Sequence, residues 1–189
     1  KSTSKYQIVT KIDGEVVETT DAIQPWTNSF FQVHLDRPAA GSDYTYSPSD
    51  CSVGDVDGDG EYEIIVQWQP SNKTDNGKEG KHPGNEFIDC YRLNGEKLWR
   101  IDMGVNILAG DQHTQFLVYD FDCDGKSEII MRTAPGSKDG MGQYVNQAAD
   151  DPAIAAADNH HDWRAPGSAA LTGGQEYLTV FEGATGKAI

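Results

Sequence analysis

The sequence predicts an all-β protein assembled from repeated units, the organisation of a propeller or a solenoid. Three observations lead there. An acidic stretch is written twice, as Asp55-Val-Asp-Gly-Asp-Gly-Glu-Tyr-Glu63 and as Asp120-Phe-Asp-Cys-Asp-Gly-Lys-Ser-Glu128. Each copy runs straight into a short apolar stretch, Ile64-Ile-Val66 and Ile129-Ile-Met131. The composition, with 20 Gly, 8 Pro and 10 % aromatic residues, suits a chain of short strands and many turns.

The elements follow in order. Residues 6–20 read as a hairpin, because two β-rich runs flank Asp13-Gly14, a strong two-residue turn signal. A lone hairpin is barely stable in water, so this one is expected to belong to a larger sheet. Residues 21–50 carry Pro25, Pro38, Gly41 and Pro48 with little periodicity and read as a linker. After the first acidic stretch, strands are expected over 63–68, 87–93 and 98–102, with a polar loop at 70–86 and a turn at Asn94-Gly95. The second unit repeats the pattern. Residues 115–119 lead into the acidic stretch, 128–133 form the strand after it, and 177–181 the next, ending at the turn Gly183-Ala-Thr-Gly186. Between them lies an insertion over roughly 134–174. Its one expected helix starts at Asp151 as N-cap, with Pro152 at the first helical position and residues 153–158 following. The expected domains are 1–26, 27–50 as linker and entry, and 51–189 as repeated units. A strand begins only at residue 188, and an unpaired strand edge is exposed to other chains. The sequence is therefore expected to be a segment of a longer protein, whose remaining units are its partners.

The formal net charge of −15, from 30 acidic against 15 basic residues, argues against nucleic acid, whose phosphates need a basic footprint. No apolar run approaches the roughly 20 residues that span a bilayer. Three cysteines, Cys51, Cys90 and Cys123, form no C-x-x-C pair and are expected to be free and buried.

Carboxylates at alternate positions repel one another unless something neutralises them. Oxygen ligands with a glycine at the sharp bend suit calcium. The expected ligands are the side chains of Asp55, Asp57, Asp59 and Glu63 with the backbone carbonyl of Glu61, and those of Asp120, Asp122, Asp124 and Glu128 with the carbonyl of Lys126. An EF-hand demands a glutamate at the twelfth position, where this chain has Val66 and Met131. Strands follow the loops, so calcium-binding propeller loops fit better. Ions placed alike in each repeat are expected to brace the fold.

Longer strings carry a resemblance. Tyr46-Ser-Pro-Ser-Asp50, Ser52-Val-Gly-Asp-Val-Asp-Gly-Asp-Gly60, Asp89-Cys-Tyr-Arg-Leu-Asn-Gly-Glu-Lys-Leu-Trp-Arg-Ile101, Thr114-Gln-Phe-Leu-Val-Tyr-Asp120, Lys138-Asp-Gly140 and Gly174-Gln-Glu-Tyr-Leu-Thr-Val-Phe181 together resemble the rhamnogalacturonan lyases of polysaccharide lyase family eleven. The resemblance implies the opening blades of an eight-bladed calcium-binding β-propeller. The hairpin at 6–20 is similar to the last one of the fibronectin type III-like module before it. It also implies calcium-dependent β-elimination in the rhamnogalacturonan I backbone of pectin, and a secreted, cell-surface or periplasmic protein. The segment alone is expected to be inactive. A non-catalytic calcium-binding propeller for carbohydrate or protein adhesion is the alternative.

The resemblance also nominates residues. Asn106 stands where the family has Asn before Ile-Arg-Ala-Gly, although Leu108 replaces the Arg. The family's Ala-His-Tyr-Thr-Gln is here Asp111-Gln-His-Thr-Gln115, which puts His113 one place on from the expected imidazole. Arg132 replaces a common Lys before Thr-Ala and suits a substrate carboxylate. His113, Arg132 and Lys138 are the candidate catalytic residues; Asn106 and Asp139 are candidates for substrate binding. His160 and His161 are adjacent, which seldom suits one metal, and read as surface residues. Trp68 and Trp99 read as core, whereas Trp163 could stack on a sugar. His34 and His82 read as bland, and Asn72-Lys-Thr74 fits a glycosylation acceptor.

Overall fold

The computed structural model describes residues 4–25, 28–73, 83–110, 112–166 and 170–189. His82, Asp111 and Thr74 of the acceptor motif lie outside them. The chain falls into two compact units, residues 1–34 and 35–189. Among the described residues each is all-β apart from two single helical turns, both in the second unit. No helix among the described residues is long and apolar enough to cross a membrane.

In the first unit, β1 (Val9–Ile12) and β2 (Glu15–Thr19) form the expected antiparallel hairpin. Its turn places Asp13 at φ +52° and Gly14 at φ +88°. Two consecutive positive φ values match the twist of a hairpin, which explains the Asp-Gly pair.

The second unit holds two antiparallel meanders. One has the order β3 (Tyr46–Gly54), β4 (Glu63–Pro70), β5 (Phe87–Tyr91), β6 (Lys97–Asp102). The other runs β7 (Phe116–Tyr119), β8 (Glu128–Thr133), β9 (Tyr177–Phe181). Each acidic stretch joins a first strand to a second, so the duplicated sequence occupies the same place in both sheets. The sequence did not reveal β3. Its Pro48 cannot donate to the ladder, and the register slips between Pro48 and Cys51. The segment expected as linker thus ends in a nine-residue strand.

Alternation of side chains splits the apolar residues of the first sheet between two faces. Ile65, Ile88, Cys90, Trp99 and Ile101 share one core with Ile129, Met131 and Phe181 of the second sheet. Tyr46, Val66, Trp68 and Tyr91 pack on the opposite face, with Leu35 and Tyr44 against them. Trp68 and Trp99 are core residues as expected. All three cysteines are free, but Cys51 and Cys123 are exposed and only Cys90 is buried. The expectation of three buried thiols is corrected. Cys51 lies on an outward position of β3, and Cys123 lies in the second acidic loop.

Close backbone approaches join the two sheets. The Trp99 indole donates to the carbonyl of Gly183 at 2.7 Å, and a Cβ at Gly183 would lie 1.8 Å from the Ser127 carbonyl oxygen. Ser127 in turn donates its backbone N–H to the carbonyl of Asp55 at 2.7 Å, linking the second loop to the first. The short helix α1 (Pro152–Ala155) is capped as the sequence implies, Asp151 accepting from the Ala153 N–H at 2.8 Å, and it makes a single turn.

A buried polar network secures the outer face of the first sheet. Asp89 is fully buried opposite Arg100, whose guanidinium grips it with two bonds of 2.7 and 2.6 Å. The Trp68 indole and the Tyr91 hydroxyl also donate to Asp89. Arg100 reaches on to the Asp36 carbonyl at 2.6 Å, and Tyr91 accepts from the Asp36 N–H, so residue 36 is latched to the sheet. Burial and the neighbouring Asp89 push the Tyr91 hydroxyl up, keeping it a donor.

Breaking such a pair leaves a charge without its partner. Asp89→Ala is expected to lower stability by about 3 kcal/mol, the lower end for a buried pair because Arg100 is partly exposed. Urea unfolding should show the midpoint falling with an unchanged m-value; an unshifted midpoint would contradict this account.

Candidate functional site

The two acidic loops share four hydrogen bonds and differ in one, the Asp55 Oδ1 accepting from the Gly58 N–H at 2.7 Å and the Asp120 Oδ1 from the Asp124 N–H at 3.1 Å. Asp55 accepts from the Gly60 N–H at 2.9 Å, as Asp120 does from Gly125 at 3.0 Å. Asp57 accepts from Asp59 N–H at 3.3 Å, as Asp122 does from Asp124 at 3.1 Å. Asp59 turns its Oδ1 to the Glu61 N–H, and Asp124 turns its own to the Lys126 N–H, each at 2.8 Å. Glu63 reaches back to the Val56 N–H at 3.1 Å, and Glu128 to that of Phe121 at 2.9 Å. The backbone turns alike as well, with Gly60 and Gly125 near φ +90° and Gly58 (+80°) matched by Cys123 (+64°). Cys123 thus adopts without strain-free glycine a conformation that costs other residues roughly 1 kcal/mol or more.

Carboxylate oxygens of Asp55, Asp57 and Glu63 lie within 4.8 Å of one another, and so do those of Asp120, Asp122 and Glu128. Asp59 and Asp124 do not join these groups; each gives its Oδ1 to the backbone N–H two residues on. Val66 and Met131, at the twelfth positions, are buried in strands. Burial raises the pKa of Glu63; the Val56 N–H opposes this, and the charges of Asp57 and Asp59 add to it. Arg92 partly offsets the first loop's charge through its bond to Asp57 at 2.6 Å. No ion pair among the described residues reaches the carboxylates of the second loop. An all-oxygen donor set, clustered and under-compensated, fits a hard divalent cation. The loops could therefore each hold a metal ion through three side chains, with the Glu61 and Lys126 carbonyls as the expected additions.

The other nominated residues do not converge on one point. Asn106 is buried, with its amide donating to the carbonyls of Pro135 and His161, each at 2.8 Å, and accepting from the Trp163 N–H at 3.0 Å. Asp139 is buried too, accepting from the N–H groups of Met141, Gln143 and Ala188. Both side chains are committed to the protein's own backbone. His113 is half-buried, and its carbonyl accepts from Arg132 at 2.5 Å. Arg132 is exposed and pairs with Glu176 at 3.3 Å. Lys138 places its ammonium 5.2 Å from the centre of the Tyr144 ring. His113 and Arg132 thus adjoin, and Lys138 sits with Tyr144. His34, His160 and His161 are exposed, as expected. Sequence reasoning missed Glu86, a fully buried carboxylate bound to the Gln67 amide and the Gly110 N–H. Nothing local distinguishes it from the surrounding polar loop.

A family model described as rhamnogalacturonan lyase family 11, C-terminal domain, matches residues 30–189. The chain belongs to this family. Among its relatives, the rhamnogalacturonan endolyase YesW of Bacillus subtilis (strain 168) is 44 % identical over 97 % of the chain, and the rhamnogalacturonan exolyase YesX of the same organism is 43 % identical over 98 %. The family 11 chain spans 28 % and 29 % of their respective lengths. A crystal structure of the exotype lyase YesX matches with a TM-score of 0.83 at 42 % identity, covering 97 % of this chain and 29 % of that one. A Bacillus licheniformis rhamnogalacturonan lyase matches with the same score and identity, covering 97 % of this chain and 30 % of its own.

For the family 11 chain the raised Glu63 pKa fixes a sign. Without a cation, Glu63 contributes stability below the ordinary carboxylate value, and that contribution is lost as pH rises through its raised value. Glu63→Gln should therefore be more stable than wild type in chelator at pH 7, with the gap closing as pH falls. In excess divalent cation the order should reverse, since a ligand is lost. Urea midpoints under the four conditions check this; the same order with and without cation would refute the site.

Proposed function

We propose that this chain is part of a rhamnogalacturonan lyase, an eight-bladed β-propeller of which it supplies opening blades. In this reading the hairpin of residues 6–20 closes a fibronectin type III-like module, and the complete protein works outside the cytoplasm, secreted, cell-surface or periplasmic. Its substrate is the rhamnogalacturonan I backbone of pectin. The family match over residues 30–189 carries the reading.

The reaction is a β-elimination. A base takes the C5 proton of galacturonic acid, the electron pair forms the C4–C5 double bond, and the C4–O bond to rhamnose breaks as its oxygen gains a proton. Calcium, when bound, supplies positive charge that cancels the repulsion within each acidic loop and can stabilise a carboxylate-linked carbanion. Asp55, Asp57 and Glu63, and Asp120, Asp122 and Glu128, would hold it, with Asp59 and Asp124 turning the backbone. Arg132, exposed and still rich in free N–H groups, is proposed to bind the galacturonate carboxylate. His113, whose backbone Arg132 touches, is the proposed proton acceptor, and Lys138 the cation of the adjoining loop. Asn106 and Asp139 hold the surrounding backbone.

On rhamnogalacturonan with calcium, the complete protein should raise the ultraviolet absorbance of the new double bond, and chelator should abolish the rise. Absorbance that stays flat in both conditions rejects the lyase reading. Losing a charge-assisted hydrogen bond of about 1.5–3 kcal/mol, Arg132→Ala should reduce kcat/KM about 10- to 150-fold. Steady-state kinetics on the same polymer measure this, and an unchanged value removes Arg132 from the site.

A further inference from the structure

Trp163 is among the aromatic residues that stand outside both cores. The Trp163 backbone is fastened on both sides: its N–H to the Asn106 amide, and its carbonyl to the N–H and hydroxyl of Thr172, each at 2.8 Å. The indole itself belongs to neither apolar cluster. Its Nε1 donates to no acceptor among the described residues.

Two glycines shape the surroundings of the ring. A Cβ at Gly173 would come within 3.1 Å of the six-membered ring, and one at Gly174 within 3.0 Å of the five-membered ring. Gly174 also has φ +107°, which favours glycine regardless of space. The His161 imidazole lies 4.2 Å from the indole, tilted by 58°.

The indole borders an open cleft of about 520 Å3. That volume falls in the roughly 300–1,000 Å3 range of small-molecule sites. Pro135, Ala153 and Ala157 give it an apolar wall, and Asp158, His161 and Gln175 give it polar tips. Asp158 spends one oxygen on the His160 N–H, and Gln175 spends its carbonyl on the Tyr177 hydroxyl. The second Asp158 oxygen and the Gln175 amide N–H groups take no partner among the described residues.

An aromatic face beside alternating donors and acceptors matches a sugar ring, whose C–H face is apolar and whose rim is hydroxylated. Charge selects among sugars. Among the described residues no Lys or Arg lines the cleft, and Asp158 presents a carboxylate. A uronate would meet like charge there, whereas a neutral deoxy sugar would set its methyl group against Ala153 and Ala157.

We propose that this cleft is a subsite for a neutral deoxyhexose unit, the rhamnose of the polymer, with Trp163 as its platform. Asn106 acts as the positioning residue, because one amide holds Pro135, His161 and Trp163, three residues of the lining. The assignment rests on the lyase reading for the identity of the polymer.

The test uses the complete protein with methyl α-rhamnoside, galacturonic acid oligomers and a rhamnogalacturonan oligosaccharide. Saturation-transfer NMR should show the rhamnoside bound and the galacturonic acid oligomers not bound at this cleft. By calorimetry, Trp163→Ala should weaken oligosaccharide binding about tenfold or more, while Trp163→Phe retains it within about threefold. Should Trp163→Ala fail to fold, Asp158→Asn decides: it should admit the galacturonic acid oligomers. Unchanged affinity in a folded Trp163→Ala, or continued exclusion of galacturonic acid in Asp158→Asn, overturns the subsite. Wild-type protein that binds the rhamnoside but raises no double-bond absorbance overturns the lyase reading and leaves the subsite standing.

Discussion

Repulsion between like charges is the constraint on which this molecule turns. Each acidic loop draws three carboxylates to within 4.8 Å of one another, at the point where one strand hands over to the next. The backbone meets part of the demand, because each loop points its N–H groups inward at the same aspartates. The rest is charge that a bound cation would cancel. In the first loop Arg92 lends a guanidinium to Asp57; the second has no such help among its described neighbours. Two loops of like backbone thus differ in charge balance, through Arg92 outside the repeated sequence and through Glu61 and Lys126 at one matching place within it.

The loops bear on the packing between the sheets as well as on the balance of charge. Ser127, at the end of the second loop, bonds to Asp55 at the start of the first, and Gly183 passes close over Ser127. Val56, within the first loop, is fully buried in the shared core. A change in either loop's shape therefore reaches the seam between sheets. Interiors are too densely packed to absorb such a shift quietly.

Much of this was legible in the residues themselves. The acidic loops could be read because their chemistry is local: spacing, glycine placement and the following apolar run all lie within a dozen residues. Strands β4, β5, β8 and β9 showed through their β-rich composition, and the Asp151-Pro152 cap through its pair of residue types. Strand β3 was hidden, because Pro48 and a bulge break its pattern. Asn106 and Asp139 were nominated for substrate, yet both are bound up with backbone groups distant in sequence, His161 and Ala188 among them. Such partners exist only once the chain has folded. Glu86 and the Trp163 cleft were obscure for the same reason, although the indole itself attracted notice. The cysteines were judged by the average behaviour of their type, and average burial does not foresee a thiol exposed in an acidic loop.

The clamp at Asn106 has a wider meaning for how this scaffold varies. A single amide ties the start of the excursion between β8 and β9, at Pro135, to His161 and Trp163 further along it. The stretch between those ties is itself moored: Val145 lies in the shared core, Ser137 donates to the Met103 carbonyl, and Asp139 accepts from the Ala188 N–H. Novelty in what the molecule grips is therefore confined to its outward part around α1, which has no buried residue.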